Sequence, residues 1–76
     1  MKQDVLRLLQ EILPEIDFES SNALIDEGLL TSTSIVEMVI ELSVEYGITF
    51  SNNDLVRENF NSLDAIVMLV ERLRKG

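Results

Sequence analysis

The sequence predicts an all-α fold: a small four-helix bundle of three main helices plus one short helix, forming a single domain over residues 1–76. Three observations point there. Apolar residues recur at helical rather than alternating spacing in three separate stretches. Helix-ending residues, Pro14 and Gly47, stand where the first two of those stretches stop. A chain of 76 residues with 46% hydrophobic content can build one modest core and is not composed like a disordered segment.

Val5, Leu6, Leu9, Ile12 and Leu13 share one face of a first helix expected over residues 3–13. Asp4 suits the positive end of its dipole, and Pro14 disfavours helical backbone in the residue before it. Residues 14–30 break the pattern with the polar run Asp17-Phe18-Glu19-Ser20-Ser21-Asn22, followed by Leu24, Ile25, Leu29 and Leu30. A connection this long in a small domain is either functional or carries its own packing residues. Both are expected here, with Leu24, Ile25 and Leu29 or Leu30 tucked against the bundle, each contributing about 1.5 to 3 kcal/mol if fully buried.

The second helix is the clearest element, with Ile35, Met38, Val39, Leu42 and Tyr46 on one face and Gly47 as a left-handed cap. Its start holds the successive hydroxyls Thr31, Ser32, Thr33 and Ser34. Any of them can cap, and Ser34 with Glu37 has the spacing of a capping box. Ile48-Thr49-Phe50 alternates like a strand but is too short to support a sheet, so it is expected as an extended loop dropping Ile48 and Phe50 into the core. A short helix is expected to open at Asp54 and pass through Leu55 and Val56 towards Phe60, dependent on tertiary contacts. The last helix starts at Ser62, an N-cap candidate, with Asp64 in its first turn. It runs through Leu63, Ile66, Val67, Leu69, Val70 and Leu73 to Arg72, Arg74 and Lys75, the charges favoured at a helix C-terminus. Phe18, Phe50, Phe60 and Tyr46 read as packing residues.

Composition narrows function. The chain has neither cysteine nor histidine. It therefore lacks the commonest general base, the commonest metal ligand and the best native nucleophile, and no catalytic constellation is evident. A non-enzymatic, metal-free role is expected, in which any thiol chemistry is imported. The formal charge is −8, and between Leu8 and Val56 there is no Lys or Arg. Such a surface repels nucleic acid and anionic lipid and suits basic protein partners, although acidity also serves plain solubility. A polar start at Met1-Lys2-Gln3-Asp4 carries no signal-like apolar run, so a cytoplasmic location is expected; a monomer is expected as well.

Thr33, Val36, Glu37, Ile40, Glu41 and Val44 fall on the side of the second helix away from Met38, Val39 and Leu42. A strip mixing Val36 and Ile40 with Glu37 and Glu41 fits a partner that pairs basic side chains with a small apolar depression. The other reading is that Val36 and Ile40 face the long connection and belong to the core.

The run Leu24-Ile25-Asp26-Glu27-Gly28-Leu29-Leu30-Thr31-Ser32-Thr33-Ser34-Ile35-Val36-Glu37-Met38-Val39 resembles the signature of the acyl and peptidyl carrier protein family, in which a Gly precedes an Asp-Ser-Leu triplet that opens a helix. The likeness extends to Tyr46-Gly47-Ile48-Thr49-Phe50 and to Asn59-Phe60-Asn61-Ser62-Leu63-Asp64-Ala65-Ile66, so it covers nearly the whole chain. The resemblance implies a 4′-phosphopantetheine arm attached covalently to Ser32 by a phosphopantetheinyl transferase, holding acyl or aminoacyl groups as thioesters. Implied partners are a loading ligase and downstream synthase or transferase enzymes with basic docking surfaces, in fatty acid, polyketide, nonribosomal peptide or related biosynthesis. The flanking positions depart from the family pattern, Thr31 replacing the usual Asp and Thr33 the usual Leu. The Gly28-Leu29-Leu30 lead-in is similar to that of stand-alone carriers served by an adenylating ligase, which implies a dedicated route rather than central fatty acid synthesis. Position alone makes a serine here a helix cap, and the same fold with modification lost would be a structural or regulatory binding subunit.

Overall fold

In the computed structural model, which describes residues 1–75, Leu13 leaves helical backbone (φ −132°, ψ 66°) one residue before Pro14, so helix α1 spans Lys2–Ile12. Helix α2 spans Ser32–Tyr46 and ends on Gly47 in the left-handed region (φ 62°, ψ 38°), where a side chain would be strained. Helices α3 (Arg57–Phe60) and α4 (Leu63–Lys75) complete the bundle. Among the described residues there is no strand, and Ile48-Thr49-Phe50 is an extended connection.

Helix α1 packs on α2 and α4, and α3 packs on α4. The core is filled by Val5, Leu6 and Leu9 of α1, Met38 and Leu42 of α2, Phe60 of α3, and Leu63, Ile66, Val67, Leu69 and Val70 of α4. The long connection adds Phe18, Leu24 and Leu30, all buried. Of the two leucines the sequence left open, Leu30 tucks in and Leu29 stays exposed, while Ile25 is half-buried. Ile48 is buried, and the half-buried Phe50 ring lies 6.4 Å from that of Phe60 in a tilted pair. At the far end of the bundle the Arg74 guanidinium sits 5.5 Å from the Tyr46 ring centroid, joining the C-terminal ends of α2 and α4.

One expectation is corrected. The short helix opens at Arg57, not Asp54: residues Asn52–Asp54 form a separate 3-10 turn, and Leu55 and the extended Val56 (φ −119°, ψ 155°) interrupt the chain before α3. The reason is the Asp54 carboxylate, which turns back to accept from the Ser51 N–H at 2.9 Å and the Ser51 hydroxyl at 3.0 Å. Asp54 thus closes a turn begun at Ser51 rather than starting a helix. The first and last helices agree closely with expectation, and Ser62 is the cap of α4, its Oγ accepting from the Ala65 N–H at 3.1 Å.

The Ser51 N–H, aided by the Ser51 hydroxyl and Arg72 and partly offset by burial, holds the Asp54 carboxyl below its ordinary value of 3.8. A carboxyl depressed on folding adds stability that is present above its unfolded value and is lost as pH falls through its folded one. Asp54→Asn should therefore lower stability at neutral pH and flatten its fall below pH 3.8, as read by denaturant titrations at neutral and acid pH. An unchanged acid profile would remove this carboxylate from the account.

Candidate functional site

The run of hydroxyls at the head of α2 is sorted by one backbone change. Thr31 is extended (φ −108°, ψ 173°) and is the N-cap, its Oγ1 accepting from the Ser34 N–H at 3.3 Å. The Ser34 hydroxyl lies 3.2 Å from that same oxygen, so Ser34 faces back to the cap and the Ser34–Glu37 capping box is not the one formed. Thr31 performs the capping task open to an aspartate, without the charge.

With the cap taken by Thr31, Ser32 becomes the first helical residue, and its exposed hydroxyl makes no hydrogen bond among the described residues. Its amide and that of Thr33 belong to the first turn, whose N–H groups have no intrahelical acceptor and lie at the positive end of a fifteen-residue helix. No acidic residue stands in that turn. An oxygen-linked phosphate on Ser32 would meet free N–H donors and no opposing carboxylate. The residues present therefore fit a phosphodiester-linked group.

The chain enters this site through a compact turn. The Leu29 and Leu30 N–H groups both donate to the Leu24 carbonyl, at 2.9 and 3.1 Å, and Gly28 between them and the turn has φ +78°. That turn is held from the opposite side of the sequence by Asn61. Its carbonyl accepts from the Leu24 N–H at 2.7 Å, and its side-chain oxygen accepts from the Ile25 N–H at 2.8 Å and the Asp26 N–H at 3.4 Å. Its amide group donates to Asp26 Oδ2 at 3.0 Å, while Arg57 Nε lies 3.5 Å from Asp26 Oδ1. Sequence reasoning assigned Asn61 no role beyond resemblance, although its place directly before a helix cap was a usable signal.

Along α2, Met38 and Leu42 are buried, whereas Val36, Ile40 and Val44 are 57%, 56% and 78% exposed. Their exposure rules out the reading in which Val36 and Ile40 belong to the core. Thr33, Glu37 and Glu41 are exposed on the same side, and Ile12, Glu37, Ile40 and Glu41 line an open depression of about 310 Å³. Ser32 and this apolar and acidic strip thus occupy one continuous helix surface. Among the described residues no helix is long and apolar enough to cross a membrane, and no group of three or more acidic side chains could hold a metal ion.

No family model matches the chain, and no solved structure matches it. Curated proteins do. It is 30% identical over 74 residues to the D-alanyl carrier protein of Streptococcus suis, covering 96% of this chain and 94% of the relative. The D-alanyl carrier protein of Streptococcus mutans serotype c is 28% identical over 77 aligned residues, covering 100% and 98% respectively. That of Listeria welshimeri serovar 6b is 29% identical over 75 residues, with 96% of each covered.

Proposed function

This chain belongs to the acyl and peptidyl carrier protein family, and from that premise we propose that it carries a phosphopantetheine arm on Ser32 and holds D-alanine on that arm as a thioester. The observation that carries the reading is the division of labour at the head of α2: Thr31 caps the helix, and the hydroxyl of Ser32 is left exposed and unengaged beside first-turn N–H groups. In attachment, Ser32 Oγ forms the bond to the pantetheine-bearing phosphorus as a phosphopantetheinyl transferase breaks the diphosphate bridge of coenzyme A, adenosine 3′,5′-bisphosphate leaves with the bridging oxygen, and the Ser32 proton passes to a base on that enzyme. The arm supplies the thiol that a chain without cysteine lacks.

The cargo is the finer part of the reading. It rests on the names of relatives aligned over almost the whole chain and agrees with the lead-in at Gly28-Leu29-Leu30, similar to stand-alone carriers loaded by an adenylating ligase. The partners are then the transferase, the loading ligase and the enzyme that takes the aminoacyl group onward. Thr33, Val36, Glu37, Ile40, Glu41 and Val44 are the surface they would share: exposed, mixed apolar and acidic, and continuous with Ser32. This chain's own part is to hold and present, and bond-making is left to the partners.

Incubation with coenzyme A and a phosphopantetheinyl transferase, followed by intact-mass measurement, should show the gain of one arm, which fragmentation places on Ser32. Because Thr31 offers no negative charge, a transferase that reads a carboxylate before the serine should act slowly, and the enzyme from the same source faster. No gain with either would leave a carrier fold acting as a binding subunit.

A further inference from the structure

We propose that Asn61 is the positioning residue for Ser32: from the α3–α4 junction it caps the turn that leads into α2 and so sets where the acceptor hydroxyl is presented. The proposal rests on Ser32 being the acceptor. The three successive N–H groups of Leu24, Ile25 and Asp26 are all accepted by this one residue, two by its side-chain oxygen and one by its carbonyl. They open a helical turn whose own bonds run from the Glu27 N–H to the Ala23 carbonyl (2.8 Å) and from the Gly28 N–H to the Ile25 carbonyl (3.0 Å). Open turn amides normally look to a cap within their own segment. Here the cap is supplied from 35 and 36 residues away.

The rigid path to Ser32 is short. After the turn come only Leu29 and Leu30, whose N–H groups are both fixed on the Leu24 carbonyl, and then Thr31, the cap of α2. Leu24 and Leu30 are buried, so the segment is anchored at both ends. Asn61 is equally constrained, lying between the buried Phe60 and the α4 cap Ser62. The chemistry requires an amide. Its oxygen faces two N–H donors, and its nitrogen faces the Asp26 carboxylate at 3.0 Å. An aspartate at this position would keep the acceptor and set two carboxylates against each other, whereas alanine would remove both functions.

The test compares Asn61→Ala, Asn61→Asp and the exchanged pair Asp26→Asn/Asn61→Asp for steady-state arm attachment, at a temperature where melting curves show every variant folded. Asn61→Asp should lower kcat by about tenfold with little change in KM, because the acceptor is displaced while the docking strip on α2 is not. Asn61→Ala should fall in the same direction. The exchanged pair restores donor against acceptor with its polarity reversed and should recover to within about twofold, the exposed Arg57–Asp26 pair contributing little. Wild-type kcat in Asn61→Asp, or failure of the exchanged pair to recover, overturns the proposal. Should the wild type accept no arm, the carrier reading fails separately, and amide hydrogen exchange decides the role of Asn61. Faster exchange of the Ser34 and Ile35 amides in Asn61→Asp, reversed in the exchanged pair, upholds coupling of the junction to the head of α2; unchanged exchange overturns it.

Discussion

Replacing Ser32 by alanine is expected to abolish arm attachment completely while leaving stability within about 0.5 kcal/mol of the wild type. The separation follows from the geometry. The Ser32 side chain is exposed and makes no hydrogen bond among the described residues, and alanine is the better helix former at a position already helical. Thr31→Ala should behave oppositely. It removes the oxygen that accepts from the Ser34 N–H at 3.3 Å, costing about 0.5 to 2 kcal/mol, yet keeps the acceptor hydroxyl. Intact mass and denaturant titration on both variants check the pair of expectations. Arm attachment surviving in Ser32→Ala would move the acceptor along the run to Thr33 or Ser34, and loss of both fold and modification would make Ser32 structural.

What the sequence could reveal about this site depended on how local each interaction is. Three main helices were legible because Leu9, Met38, Leu42, Ile66 and Val70 repeat at helical spacing, and Pro14, Gly47 and Ser62 act through the backbone of their immediate neighbours. The cap of α2 was not decided, since four hydroxyls in a row satisfy the same local rule. Thr31 caps because the buried Leu30 fixes the chain just before it, leaving Thr31 as the last extended residue. Asp54 misled for a similar reason: its carboxylate serves a helix start or a reciprocal turn with Ser51 equally well by type. The place of Asn61 before a helix cap marked it as a capping candidate, but not which amides it holds, because those lie 35 and 36 residues away along the chain. Val36 and Ile40 are apolar, and residue type cannot say whether an apolar side chain on a helix is covered; their exposure of 57% and 56% can.

That exposed strip supports the second large effect. Glu37 and Glu41 stand four apart on α2, a like-charge spacing that costs the helix a few tenths of a kcal/mol, and neither forms an ion pair among the described residues. Such a pair does nothing for the fold; in the proposed docking strip it would meet a partner that brings cations to the depression it lines with Ile12 and Ile40. The double reversal Glu37→Lys/Glu41→Lys keeps the same mutual repulsion and lies beyond the first turn, where the helix dipole matters little, so stability should hold. Loading of the arm-bearing protein by its ligase should nonetheless fall by about 10- to 100-fold in kcat/KM at low salt. Raising the ionic strength above about 0.1 M, where charges are screened beyond about 10 Å, should shrink the deficit. Ile40→Ser should lower loading by an amount that salt does not change, because it removes apolar contact rather than steering. Equal loading of wild type and double reversal at low salt would mean that the ligase docks elsewhere, and the acidity of this helix would then serve solubility alone.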